Sequence, residues 1–417
     1  MAERLETGVA VVGAGPAGIA AACRAAEAGA RVVLIDEAPV AGGQVWRHRP
    51  ASPPPRAARP WLERLAGCGA GRLTGSVVDA EGAHSLHVAG DERLVRVDCE
   101  RVVLATGARE RFLPFPGWTL PNVLGVGGAQ ALLKAGASFH GRRVVIAGSG
   151  PLLLPVAASL ARAGARVGLV AEQAPWPAVA RFASRLLLRP AKLLQAIGYR
   201  SRFATTRYRC GVWLTAARGA AQVEAAELTD GRRRWTLDCD VLAAGFGLVA
   251  NLELPVLLGC RVAAGGVVVE DDQATSVADA FCAGEPTGIG GVDLALLEGQ
   301  IAGLAAAGRS SEAKALAPRR DRERAFARDL AEAFALRPEL RRLPAAETLV
   351  CRCEDVALGR LRPEWSARQA KLYTRAGMGP CQGRVCGPAL EFLFGWERDS
   401  VRPPLMPLAL SDLEARR

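Results

Sequence analysis

VAVVGAGPAG, residues 9–18, reads as a buried strand running into a glycine turn and then a helix start. Gly13, Gly15 and Gly18 carry the spacing G-x-G-x-x-G. In a strand–turn–helix unit the first glycine permits the tight turn. The second lets a pyrophosphate approach the backbone, and the third lets helix and strand pack closely. Pro16 and Ala17 open the helix, whose free N–H groups can face phosphate. The helix continues through IAAACRAAEAG and stops at Gly29, a C′ glycine. RVVLID (31–36) is the next strand. Asp36 stands 18 residues beyond Gly18, at that strand's end, where a carboxylate can bind ribose hydroxyls; Glu37 is a neighbouring candidate.

GRRVVIAGSGPLLLPVAASLARAGARVGLV (141–170) repeats the strand–turn–helix–strand pattern, and VDCERVVLATG is echoed by LDCDVLAAGFG. Two such units predict an α/β chain with two dinucleotide-binding, Rossmann-like domains. The second motif is damaged: Gly148 and Gly150 are followed by Leu153. A leucine there is expected to push helix from strand and close the pocket. Glu172 could still hold a ribose. A second nucleotide (NAD or ATP) in this degenerate site stays open beside a retained packing domain.

A chain of 417 residues allows about three domains. The net charge of +11 comes from arginine spread along the chain, with lysine only at 134, 192, 314 and 371, so no nucleic-acid partner is expected. Eleven cysteines, seven of them isolated in sequence, are not a disulfide framework and suit a reducing cytoplasm. No direct membrane span is expected, because no stretch reaches about 18 apolar residues without charge. The four histidines read as structural or solvated.

Three further motifs follow in order: GGQ (42–44), ATGAR (105–109) and TSVADAFCAGE (275–285). With the opening unit they resemble the two-dinucleotide-binding flavoproteins of the glutathione-reductase type, over roughly residues 7–307. The resemblance implies FAD in the first site. Gly43 and Gln44 would lie near the flavin, Thr106 and Gly107 near the cofactor phosphates, and Gly284 and Glu285 at the ribityl chain. That last family position usually holds Asp, and Glu285 is one methylene longer. The paired cysteines of the disulfide reductases have no counterpart after GGQ or in the second unit, where Cys210 stands alone.

Cys351, Cys353, Cys381 and Cys386 form C-x-C, a helix-sized gap, then C-x4-C. Four thiolates favour iron–sulfur or zinc, and the tight C-x-C with glycine-rich GMGPCQGRVCG favours a 2Fe–2S cluster over zinc. CRCED, KLYTRAGMGPCQGRVCG and RPPLMPLALSDL, behind GSGPLLLPVAA, resemble the FAD-binding subunit of heteromeric amine and imino-acid dehydrogenases. That family includes the corresponding subunits of opine oxidase, of hydrogen cyanide synthase and of proline or hydroxyproline dehydrogenases. The cysteine domain is similar to bacterioferritin-associated ferredoxin, which closes with C-x2-C instead. The implied organisation is a discontinuous FAD-binding domain (1–113 and 246–307) and a second dinucleotide-binding-like domain (114–245). A helical connector (308–346) and a small helical 2Fe–2S domain (347–417) follow.

The resemblance implies an electron-transfer subunit in a hetero-oligomer. One partner would be a flavin-containing, amino-acid-oxidase-like catalytic β subunit; another would be a small ferredoxin-like subunit. The acceptor would be a quinone, reached from the inner face of the membrane. No residue here presents itself as a general acid or base, so none is assigned as catalytic. The alternatives are a self-sufficient NAD(P)H-dependent FAD oxidoreductase and a non-enzymatic redox-sensing or binding protein.

Overall fold

The computed structural model describes residues 3–90, 93–203, 206–397 and 401–409; the end of the RPPLMPLALSDL motif lies outside them. The chain divides into two compact units. One holds residues 1–109, 249–328 and 400–417, and the other holds 110–248 and 329–399.

The first unit is built on a seven-stranded sheet. Gly71–Thr74, Val32–Asp36, Glu3–Val12 and Leu94–Leu104 run parallel in that order, and Ser85–Ala89 and Ser76–Ala80 extend the sheet antiparallel. Ala280–Cys282 adds in parallel to the far end of Leu94–Leu104. The central strand buries Val9, Ala10 and Val11 almost completely, as a strand covered on both faces must. Register aligns the strand ends: Val12 pairs with Ile35 and with Leu104, and Leu104 pairs with Cys282. Gly13, Asp36, Ala105 and Ala283 therefore leave the same carboxyl edge, where α/β sheets bind ligands.

Helix Pro16–Glu27 packs against helix Val292–Ala306 at backbone distance. A Cβ at Gly299 would lie 2.1 Å from the Ala17 carbonyl oxygen, and one at Gly303 would lie 2.3 Å from that of Ala21. Only glycine at both positions permits this approach.

The second unit carries a five-stranded parallel sheet in the order Arg207–Cys210, Arg166–Glu172, Arg143–Gly148, Val241–Gly245, Val123–Gly125. A three-stranded antiparallel sheet, Trp213–Arg218, Ala225–Thr229 and Arg234–Asp238, lies beside it in sequence. The thiol-bearing segment belongs to the same unit. Its hairpin, Leu349–Cys351 with Val356–Ala357, and its helices Ala367–Thr374 and Cys386–Phe394 close over a small core of Val350, Val356, Leu361, Ala370, Leu390 and Trp396. Ser366 and Gln369 form a capping box at the start of Ala367–Thr374, which fixes where that helix begins. The Trp118 indole N–H donates to the Leu349 carbonyl at 2.7 Å, joining this segment to the second dinucleotide fold.

Candidate flavin and thiol sites

The first glycine loop is tight where it must turn and open where a ligand would pass. Gly13 has φ +107°, and a Cβ there would lie 2.2 Å from the Ala105 carbonyl oxygen. A Cβ at Gly18 would lie 1.7 Å from the Gly13 oxygen, so the third glycine is what lets the helix start against the turn. A Cβ at Gly15 would meet nothing within 4 Å. That open space is where the backbone can receive a pyrophosphate. The Gly42–Gly43 turn sits against it: the Gly42 N–H donates to the Ala14 carbonyl at 2.7 Å, and a Cβ at Gly43 would lie 2.8 Å from Gly15 Cα.

Asp36 lies at the predicted strand end, and its carboxylate accepts the N–H of Ala14 at 2.5 Å and of Ala38 at 2.8 Å. It shapes the glycine loop itself. Glu37 is exposed beside it. The Thr106 hydroxyl donates to the Asn251 carbonyl at 2.7 Å, and the Asn251 amide N–H returns a bond to the Thr106 carbonyl. Arg109 holds Asn251 and Glu253 through its guanidinium. Thr106 and Gly107 are therefore positioned by a segment about 145 residues away.

Gly284 and Glu285 follow the last parallel strand. The Glu285 carboxylate accepts the N–H of Gly290 at 3.2 Å and of Gly291 at 3.0 Å, at the N-terminus of helix Val292–Ala306. Burial raises its pKa, and the two amides oppose the shift. Its extra methylene thus carries the carboxyl to the helix start. Sequence reasoning missed the group that holds Gly284. Glu298 is fully buried and accepts from the Gly284 N–H at 2.9 Å, from the Thr287 hydroxyl at 2.6 Å and from Arg324 at 2.8 Å. Arg324 also donates to Gln273, itself fully buried. Arg324 lies in the charged segment read as a connector. A buried carboxylate needs such a partner, and losing one costs several kcal/mol, about 3–5 by analogy.

The second glycine loop has different surroundings. The helix Leu153–Arg162 starts at that leucine, which is buried with Val126, Ile146 and Val156. The loop is covered by the chain just past helix Ala317–Ala333. The Ser149 hydroxyl donates to the Phe334 carbonyl at 2.8 Å, and Gln173 donates to Ser149 and to the Ala335 carbonyl, each at 2.9 Å. Gln173 accepts the Arg337 N–H at 3.1 Å. A Cβ at Gly150 would lie 3.9 Å from Phe334 Cβ. Glu172, fully buried, accepts the N–H of Gly150 and of Ala174, both at 2.8 Å. Nothing in the local motif points to residue 334; only the fold brings it there.

The four C-terminal cysteines meet as two pairs. Cys351 ends a hairpin strand and Cys386 opens a helix; both are buried, and their side chains hydrogen bond. The Cys386 thiol, with the N–H groups of Gly377, Glu354 and Cys353, lowers the Cys351 pKa to about 6 against the cost of burial. Cys353 is exposed and Cys381 half-buried. The Cys353 pKa is raised: the Cys381 N–H lowers it, but desolvation, the Cys381 side chain and the charge on Cys351 outweigh that N–H. One thiol pushed down and its neighbour pushed up is the behaviour of acids that share a small space. A Cβ at Gly379 would lie 2.3 Å from Cys353 Cβ, so the G-M-G-P run lets the chain come this close. Among the described residues no three His, Cys, Asp or Glu side chains are gathered as a finished metal site. The fit to a metal centre thus lies in the donor set and its amide lining, and not in a closed shell.

Two further cysteines that sequence spacing leaves isolated also come together. Cys23 and Cys68 hydrogen bond, and burial pushes Cys23 up to about 12, so it stays a thiol. Cys210 is likewise pushed up to about 11 by burial and by nearby Glu172. Among the described residues no helix is long and apolar enough to cross a membrane.

The model of the pyridine nucleotide-disulphide oxidoreductase family matches residues 7–299. An opine oxidase subunit from Rhizobium meliloti (strain 1021) is 34% identical, over 97% of this chain and 97% of the relative. Hydrogen cyanide synthase subunit HcnB of Pseudomonas protegens is 32% identical, over 90% of this chain and 89% of the relative. The crystal structure of L-proline dehydrogenase from P. horikoshii superposes with a TM-score of 0.69 at 20% identity, over 99% of this chain and 80% of that one, a likeness of fold.

Proposed function

The chain belongs to the pyridine nucleotide-disulphide oxidoreductase family, and from that membership we propose that it is the FAD-binding electron-transfer subunit of a heteromeric dehydrogenase. The observation that carries the reading is the presence, in one chain, of an open first glycine loop and two neighbouring pairs of thiols, Cys351 with Cys386 and Cys353 with Cys381. Near full-length similarity to subunits named for opine oxidation and for hydrogen cyanide synthesis supports it.

In this reading residues 1–113 and 246–307 hold the flavin and 347–417 hold the cluster. The Gly13–Gly18 loop and helix Pro16–Glu27 receive the pyrophosphate, with Asp36 and Glu37 near the ribose. Gly43, Gln44, Thr106, Gly107, Gly284 and Glu285 line the rest. Cys351, Cys353, Cys381 and Cys386 hold a 2Fe–2S centre. A flavin accepts electrons in pairs or singly, and an iron–sulfur centre passes them singly. The exposed Cys353 faces solvent on one side of the thiol group.

The substrate, an opine, proline, hydroxyproline or glycine-like amine, is oxidised in a partner subunit carrying its own flavin. A small ferredoxin-like subunit fits the same assembly, and a quinone fits the terminal acceptor. The coverage of Gly150 by Phe334 speaks against electrons entering as NAD(P)H and against NAD or ATP resting on that loop. The free thiols support a cytoplasmic location.

An anaerobic dithionite titration followed by UV–visible and EPR spectroscopy tests the proposal, with flavin, iron and zinc assayed on the same sample. One flavin, about two irons and a rhombic signal on reduction are expected. Flavin with zinc, or with no metal in protein kept from oxygen, would overturn the cluster.

A further inference from the structure

Cys23 and Cys68 are isolated in sequence, yet the first unit brings their sulfurs together. Cys23 belongs to helix Pro16–Glu27 and is fully buried. Cys68 caps the end of helix Arg59–Gly67 and packs, half-buried, against the same apolar cluster. The Cys68 S–H donates to the Leu65 carbonyl at 3.4 Å, which leaves its sulfur as the acceptor for the Cys23 S–H.

A second contact holds the two helices here. Glu27, one turn beyond Cys23, accepts from both Nε and Nη2 of Arg64, one turn before Cys68. The Arg64 guanidinium lies over the Trp61 ring at 5.1 Å and interacts with the charge of both sulfurs. A bidentate bridge thus supports the thiol pair, whose own bond is weak. The two thiols differ in access. Glycine flanks Cys68 on both sides, and a Cβ at Gly67 or Gly69 would meet nothing within 4 Å. The backbone beside Cys68 is open to a small reagent, while Cys23 has no exposed surface.

A half-exposed thiol bonded to a buried one is the arrangement of an attacking and a resolving cysteine. We propose that Cys23 and Cys68 are a reversible dithiol–disulfide pair, oxidised by a small disulfide of the glutathione class. The Cys68 sulfur bonds to one sulfur of that disulfide, whose S–S bond breaks, and the first thiol leaves with the Cys68 proton. The Cys23 sulfur then bonds to the Cys68 sulfur, the mixed disulfide breaks, and the second thiol leaves with the Cys23 proton. Two protein thiols are oxidised, and one small disulfide is reduced to two thiols. Cys68 carries no charge in the mixed disulfide, which removes one of the influences that hold the proton on Cys23. The bond closes the segment 23–68, which contains Asp36 and the Gly42–Gly43 turn beside the first glycine loop. The inference is independent of the flavin and cluster readings.

The test incubates the full chain with oxidised glutathione, then quenches it in acid, alkylates it and digests it with trypsin for mass spectrometry. Cleavage releases residues 5–24 and 65–72, each with one cysteine. These two peptides should appear joined, and dithiothreitol should separate them. Cys23→Ser should stop at a single glutathione on Cys68, and Cys68→Ser should leave Cys23 unmodified at the same exposure. In urea, where no fold gathers the pair, the joined peptide should give way to mixed pairings. Separate peptides after treatment of the folded wild type, a glutathione that stays on its Cys68, or equal cross-linking in urea would overturn the proposal.

Discussion

The loops Gly13–Gly18 and Gly148–Leu153 occupy equivalent places on two parallel sheets, and their first glycines obey one constraint. A Cβ at Gly13 would strike the Ala105 oxygen at 2.2 Å, and one at Gly148 would strike the Gly245 oxygen at 1.8 Å. In both, a carboxylate at the next strand end accepts a loop N–H: Asp36 from Ala14, and Glu172 from Gly150. The loops part at the second glycine. Space lies over Gly15, whereas Phe334 lies over Gly150 and Ser149 donates to the Phe334 carbonyl. A shared turn geometry thus sets the fold of both halves. Ligand access is decided by whatever covers the turn.

Glycine replacement breaks this contrast most sharply. Gly15→Ala has room in the fold and an extended φ of −77°, so the first unit should fold while flavin occupancy falls below about a tenth of the wild-type value. Gly150→Ala strains a φ of +96° and should cost about 1 kcal/mol or more, with the flavin-to-protein ratio unchanged. Absorbance ratios after gel filtration and melting curves check both. Full flavin in Gly15→Ala would mean the first loop is not the site.

A smaller effect sharpens the electrostatic half of the comparison. Burial raises the Glu172 carboxyl from 4.5 to about 7 against the pull of the Ala174 and Gly150 N–H groups. The folded chain therefore keeps a proton that the unfolded chain releases. Its stability falls as pH rises from about 4.5 through 7, by about 3 kcal/mol in all. Glu172→Gln cannot ionise and lacks this slope. The melting temperature of the wild type relative to Glu172→Gln should drop between pH 5 and pH 8. Parallel pH profiles for the two proteins would remove Glu172 as the cause.

The smallest expected effect is none. NADH or NADPH mixed anaerobically with the flavin-loaded chain should leave the flavin absorbance unbleached, because Phe334 and Ala335 cover the second loop. Rapid bleaching would erase the distinction between the loops and favour a self-sufficient reductase.

Residues whose role is local were legible. Gly13 and Gly18 declare themselves because the tight turn and the close helix start leave no room for a Cβ, and Asp36 because it ends the next strand, where its carboxylate accepts a loop N–H. Cys351, Cys353, Cys381 and Cys386 stand out by their close spacing, but the pairs they form, Cys351 with Cys386 and Cys353 with Cys381, cross between the two motifs and come from the fold. What was not legible lies between distant residues. The Ser149–Phe334 bond spans 185 positions, and Cys23 lies in helix Pro16–Glu27 whereas Cys68 caps the end of helix Arg59–Gly67. Arg324 comes from a helix whose charged composition reads as solvated linker, yet it holds a fully buried Glu298.

By itself the sequence determined the doubled strand–turn–helix architecture, the first glycine loop and the thiol quartet, since each is imposed by backbone sterics or ligand count over short stretches. Only the tertiary structure decided which loop stays open, which carboxylates are tied to backbone amides and which apolar side chains stay outside the core. Those outcomes depend on which segments meet across a hundred residues or more. Periodicity and motif spacing do not encode such a meeting, because it is fixed by the packing of the whole chain.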